Sequence, residues 1–141
     1  MFKKKRLVGL LTGAALMMLP VSSAFASSVS FTDFHFNAYP AKENFQRVVS
    51  RTKPDAEQRW YLTLTKYTPN KTGAETPIAV SVKSFSQTSW APQIRLKLGS
   101  QSQAYDSSMG IGKGTTCVLY MSGNDNASGS YTFWVSGKYS S

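Results

Sequence analysis

Beyond residue 26, apolar residues recur at every second position through much of the chain, which is the period of a half-buried β-strand. In 31–38 they are Phe31, Phe34, Phe36 and Ala38. The alternation slips once, at Asp33, and predicts a bulge or bend there. In 60–67, Trp60, Leu62 and Leu64 share one face, with Tyr61, Thr63, Thr65 and Tyr67 on the other. Ile78, Val80 and Val82 face together, opposite Ser81 and Lys83. In 93–98, Ile94, Leu96 and Leu98 alternate with Arg95 and Lys97. Residues 115–121 are apolar on both faces (Cys117, Val118, Leu119, Tyr120, Met121), a pattern that suits a central strand. In 131–139, Tyr131, Phe133, Val135 and Tyr139 lie opposite Thr132, Trp134, Ser136 and Lys138. A weaker strand over 45–51 carries Val48 and Val49.

The connections read as loops. Pro54 suits the second position of a type I turn, so 45–67 is predicted to form a β-hairpin around a solvated, mixed-charge tip of Arg51, Lys53, Asp55, Glu57 and Arg59. Residues 68–76, 99–114 and 122–129 are rich in Gly, Pro, Ser, Asn and Gln, and 99–114 reads as a long linker. No residue-level repeat is present. Six to eight strands, each with an apolar face, need a second sheet to cover that face. The expected fold is therefore all-β: an antiparallel β-sandwich, with a small β-barrel as the alternative.

The N-terminus has a different pattern. Lys3, Lys4, Lys5 and Arg6 precede an uncharged run over 7–19, then Pro20 and a small-residue stretch with Ala24 and Ala26. Basic start, short apolar run and A-x-A site together predict a secretory signal peptide, helical over its apolar run and cleaved after Ala26. The run is shorter than the roughly 18 residues that span a bilayer. No later segment approaches that length, so no transmembrane segment is expected in the mature chain. The expected organisation is a signal peptide over 1–26 and one domain over 27–141. Cleavage changes the charge picture. The 141-residue chain has 16 Lys and Arg against seven acids, a formal +9. The leader carries four of those cations and no acid, so the remainder has twelve against seven, a net +5. Such a domain can bury roughly 60–70% of its unfolded surface and needs no metal or disulfide staple.

The composition is poor in reactive groups. One Cys excludes an intrachain disulfide and any multi-thiolate zinc site, and one His excludes a His-paired metal site. A Cys-His nucleophile would have to join His35 to Cys117, yet Cys117 sits in an apolar strand. No pair among Asp33, Glu43, Asp55, Glu57, Glu75, Asp106 and Asp125 stands out as a glycosidase dyad. Gly110-Ile111-Gly112-Lys113-Gly114-Thr115 lacks the spacing of a phosphate loop. Asn124-Asp125-Asn126 offers too few carboxylates for a calcium loop. The expectation is a non-catalytic protein without cofactor or metal.

What survives is basic and aromatic. Lys83, Arg95 and Lys97 sit on polar strand faces, as do Tyr61, Tyr67 and Trp134. If they converge on one sheet, they form a cationic surface with flat rings, suited to polyanions or sugars. For an exported protein, the expected partner is an anionic cell-wall polymer or an anionic membrane surface; no specific nucleic acid is expected, and the pattern sets no oligomeric state. The chain resembles the small exported proteins of unknown function found in Gram-positive bacteria. The likeness lies in the Lys3-Lys4-Lys5-Arg6 start, the Ala24-Phe25-Ala26 site, a β-rich remainder, and the closing strand over 131–139. That resemblance implies secretion to the medium or cell wall and brings no site residues with it. Some exported antimicrobial proteins share the layout, which makes a membrane-active, bacteriocin-like role the alternative and an exported hydrolase the third reading.

Overall fold

The computed structural model describes residues 28–84 and 91–141. The expected leader and its cleavage point at Ala26 lie outside the described residues. Eight strands follow in order: β1 (Val29–Ala38), β2 (Gln46–Thr52), β3 (Arg59–Thr68), β4 (Ile78–Lys83), β5 (Gln93–Arg95), β6 (Gly99–Ala104), β7 (Thr116–Ser122) and β8 (Tyr131–Ser140). They form two four-stranded antiparallel sheets, ordered β1-β8-β3-β6 and β2-β7-β4-β5. The first strand pairs with the eighth, the second with the seventh, the third with the sixth and the fourth with the fifth. One long hairpin rolled into two layers gives this order, which is the topology of a jelly roll. The expected β-sandwich is the fold.

The apolar alternation builds the space between the sheets. From the first sheet come Phe36, Trp60, Leu62, Leu64, Phe133, Val135 and Tyr139; from the second, Ala79, Cys117, Leu119 and Met121. Phe133 anchors a ring cluster, 5.3 Å from Phe36 and 5.9 Å from Tyr67 between centroids. Each buried ring or large aliphatic contributes about 1.5–3 kcal/mol of transfer free energy, and the aromatic pairs add to that. Asp33 has a positive φ of 48°, and the β1–β8 register shifts between Phe31 and Phe34, where the pattern slips. β7 is buried on both faces, as its composition requires.

Four expectations need correction. The Gly99–Ala104 stretch, read as part of a linker, is strand β6; it has no apolar alternation because it is an edge strand held by backbone pairing to β3. Residues 45–67 are not a hairpin: β2 pairs with β7 and β3 with β8 and β6, so the turn at Pro54 crosses between sheets. Val80 and Val82 do share a face, but it is the outer one, under Phe45, Tyr120, Met109 and Ala91; Ala79 and Ser81 face the core. Lys53 is not on a solvated tip. It is 1% exposed, its Nζ bonded to Asp55 at 3.0 Å and 5.8 Å from the centre of the Tyr105 ring. Its backbone is tied to Thr115 and Gly114, which holds the stem inside. Burial disfavours the Asp55 carboxylate, but the Lys53 ammonium and the Glu57 N–H outweigh it and set the carboxyl below its ordinary range.

Ser81 explains why a polar residue can occupy the core face of β4. Its hydroxyl meets the phenols of Tyr105 at 2.8 Å and Tyr139 at 2.6 Å, so three buried hydroxyls satisfy one another. Burial pushes the Tyr139 phenol up to about 12, and Tyr67 likewise to about 12. Burial, with Tyr139 beside it, raises Tyr105 as well. In the unfolded chain tyrosines ionise near pH 10. The native state therefore keeps these protons when the unfolded state has lost them. Stability from this source is complete below pH 10 and falls as pH rises through 10 and 12, by at most about 1.4 kcal/mol per pH unit for each phenol. Tyrosinate absorbance should show Tyr67, Tyr105 and Tyr139 titrating only as the protein unfolds. Urea midpoints should be flat between pH 7 and 9 and drop steeply above 10.

Candidate functional site

The six residues singled out by pattern do not converge on one sheet. Tyr61 and Trp134 both lie on the outer face of the first sheet, flanked in sequence by buried Trp60 and Leu62 and by buried Phe133 and Val135. They sit at opposite ends of it: Tyr61 is level with Ser140 and Trp134 with Thr68, seven residues apart along β3 or about 23 Å. Tyr61 donates its hydroxyl to Glu57. Trp134 stands opposite His35, with rings 4.8 Å apart. Tyr67 is buried, contrary to expectation, because the β3–β8 register shifts between Leu64 and Lys66 and turns it inward. Lys83 ends β4, five residues beyond the level of Arg95, which pairs with Ile78; that is about 16 Å along the strand.

Arg95 and Lys97 do come together with a third cation. β5 and β6 are the edge strands of the two sheets and follow one another in the chain. Beside them runs a groove of about 470 Å³, lined by Asn70, Lys71, Thr72, Gly73 and Thr76 from the β3–β4 loop, by 94–97, and by Gln101. Ile94 and Leu96 turn toward the core, so Arg95 and Lys97, which alternate with them, are exposed. Three of the lining residues are cationic and none is acidic.

The cations are held by neighbours. Arg95 Nη1 donates to the carbonyl of Gly73 at 2.9 Å, leaving its other N–H groups to a ligand. Gln101 accepts from the Lys97 N–H at 3.2 Å and donates to the Arg95 carbonyl at 2.7 Å, bracing the β5–β6 turn. The backbone of Lys71 is fixed by Tyr67, whose hydroxyl donates to the Lys71 carbonyl at 3.2 Å and accepts its N–H at 3.3 Å. Thr76 Oγ1 donates to the same carbonyl at 3.2 Å. Tyr67 thus supports the groove from the core side. The Lys71 ammonium lies 3.9 Å from the centre of the Tyr131 ring. Glu75, the acid on this loop, is occupied by Ser128, whose hydroxyl and N–H hold its carboxyl below the ordinary range. Among the described residues the ion pairs are Lys53–Asp55 and Lys66–Asp33, so none of the three groove cations is salt-bridged there; Lys71 acts on Glu75 only at longer range, helping Ser128 to lower its carboxyl.

Pattern reasoning missed Lys71 and Gln101. One lay in a polar loop and the other in the assumed linker, and no local signal tells which strand edge such residues will meet.

The remaining motifs are self-contained. His35 is exposed on the outer face of the first sheet, while Cys117 is buried on the inner face of the second, so the two form no dyad. In 110–115, Gly112 and Thr115 close a turn on each other, Gly112 N–H to Thr115 Oγ1 and Thr115 N–H to the Gly112 carbonyl, both at 3.1 Å. Asn124 Oδ1 accepts from the Asn126 N–H at 3.0 Å, a side-chain-closed turn. Among the described residues there is no group of three or more potential metal ligands of the His, Cys, Asp and Glu kind, and no helix long and apolar enough to cross a membrane. No protein-family model matches the chain, and comparison with curated proteins and with solved structures gives no significant match.

Proposed function

We propose that this is an exported, non-catalytic binding protein that holds an anionic polymer of the cell envelope in the groove of Lys71, Arg95 and Lys97. The observation that carries the reading is the charge of that groove: three cations and no acid among the residues that line one cavity. A cleft lined by one sign of charge concentrates ligands of the other. Export is supported by the leader pattern of 1–26. Binding to isolated cell walls should be strong at low salt and weaken steeply toward 0.5 M salt, where the screening length falls below about 5 Å. Binding that ignores salt, or no binding at all, refutes the proposal. A second reading, an exported membrane-active protein that acts on an anionic lipid surface, is favoured by Leu98, which is 50% exposed beside Lys97 at the β5–β6 turn. Dye leakage from anionic liposomes separates it from the first.

A further inference from the structure

A second cavity, of about 250 Å³, lies where β1 ends and β8 begins and is bordered by Asn37, Ala38, Tyr39, Ser130, Tyr131 and Thr132. Its chemistry differs from that of the groove: no charged side chain lines it, while amide, hydroxyl and phenol groups do. Asn37 and Thr132 stand directly opposite each other, and Thr132 Oγ1 donates to Asn37 Oδ1 at 2.9 Å. That bond uses an acceptor of Asn37 and leaves its N–H donors and the Thr132 lone pairs for a ligand. Tyr39, on the cavity wall, is 41% exposed. One outward pair along the same two strands, about 7 Å away, stands the His35–Trp134 pair, with Trp134 43% exposed. Flat ring, amide with hydroxyl, and flat ring again is an arrangement that suits pyranose units, since their C–H faces pack on aromatic rings and their hydroxyls take paired donors and acceptors.

The two cavities are neighbours. Tyr131 lines the second one, and the ammonium of Lys71, which lines the first, lies 3.9 Å from the centre of its ring. We propose that the second cavity is a neutral-sugar subsite on the same track, so that the polymer taken by the groove is an anionic glycan. The charged half of this inference rests on the groove reading above; the sugar half rests on the second cavity alone.

Three probes separate the two halves. The neutral tetramer of N-acetylglucosamine carries sugar without charge, linear polyphosphate carries charge without sugar, and a hyaluronan hexasaccharide carries both. The tetramer should shift the backbone amide resonances of Asn37, Tyr39 and Thr132. The Asn37→Ala/Tyr39→Ala protein should bind the hexasaccharide about tenfold more weakly, the worth of roughly one ring contact and one hydrogen bond. Polyphosphate binding should change less than about twofold, because no groove cation is touched. Both side chains are exposed, and an unchanged unfolding curve will verify the fold. No tetramer shift at these amides, or unaltered hexasaccharide affinity in the double variant, overturns the sugar subsite even if polyphosphate still binds. Tetramer shifts without polyphosphate binding uphold the subsite and remove the groove reading instead. Tighter binding to phosphatidylglycerol vesicles than to the hexasaccharide, unaffected by the double substitution, makes the target a lipid surface and overturns the proposal.

Discussion

Gly137→Ala is expected to lower the thermal midpoint by about 15 °C or more, the largest single-residue effect proposed for this fold. Gly137 lies in β8, between β1 and β3, opposite Phe31 on one side and Leu64 on the other. A Cβ added there would stand 2.1 Å from the Thr63 carbonyl oxygen and 3.1 Å from Phe31 Cζ. The first contact is with backbone and cannot be relieved by a rotamer change, so β3 would have to move away from β8 next to its register shift at Leu64/Lys66. That motion opens the sheet that carries Trp60, Leu62 and Leu64. Overpacking combined with a broken ladder costs about 3–5 kcal/mol, out of the roughly 5–15 kcal/mol that hold a domain of this size together. Gly112→Ala is the control. Nothing lies within 4 Å of its added Cβ and its φ is not positive, so it should be neutral or slightly stabilising. Urea and thermal unfolding of the two variants test the argument. A Gly137→Ala midpoint within a few degrees of the parent would show that β3 and β8 separate more easily than their packing implies.

The difference between those two glycines is invisible in the chain, and the same holds for other parts of the molecule. Alternation told which residues of a strand share a face. It did not tell which face turns toward the other sheet, and for β4 the more apolar face is the outer one, because Ser81 is needed by Tyr105 and Tyr139 inside. The turn at Pro54 was legible as a reversal, but the partner of each flanking strand is set by the rolled topology. β6 carries no strand signal of its own because a Ser- and Gln-rich edge strand is specified by its neighbour's backbone and not by its own side chains. The slip at Asp33 shows in the sequence because Phe residues bracket it, whereas the one that buries Tyr67 falls among Thr65 and Lys66 and leaves the expected alternation looking intact. Of the groove, Arg95 and Lys97 were readable as cations alternating with Ile94 and Leu96. Their convergence with Lys71, contributed by a loop well upstream, depends on where the two sheet edges meet.

Neutralising that convergence should have the largest effect on binding. In Lys71→Gln/Arg95→Gln/Lys97→Gln, affinity for polyphosphate at low salt is expected to fall about 100-fold, taking about 1 kcal/mol for each cation facing a polyanion and about 1.4 kcal/mol per tenfold. The salt dependence should flatten in parallel, because fewer counterions are exchanged. Stability should change little: Arg95 and Lys97 are exposed, the lost bond from Arg95 to Gly73 is a surface one, and the lost contact of half-buried Lys71 with the Tyr131 ring costs about 0.5–1 kcal/mol. Net charge alone would also weaken polyanion binding, so the informative comparison removes the same charge elsewhere. Lys66→Gln/Lys83→Gln/Lys138→Gln takes three exposed cations from outside the groove, one of them already paired with Asp33. If the cavity focuses the field, this control should lose less than about threefold. If the two triple variants lose affinity equally, the attraction is spread over the whole surface. The arrangement of Lys71, Arg95 and Lys97 around one cavity would then have no bearing on what the protein binds.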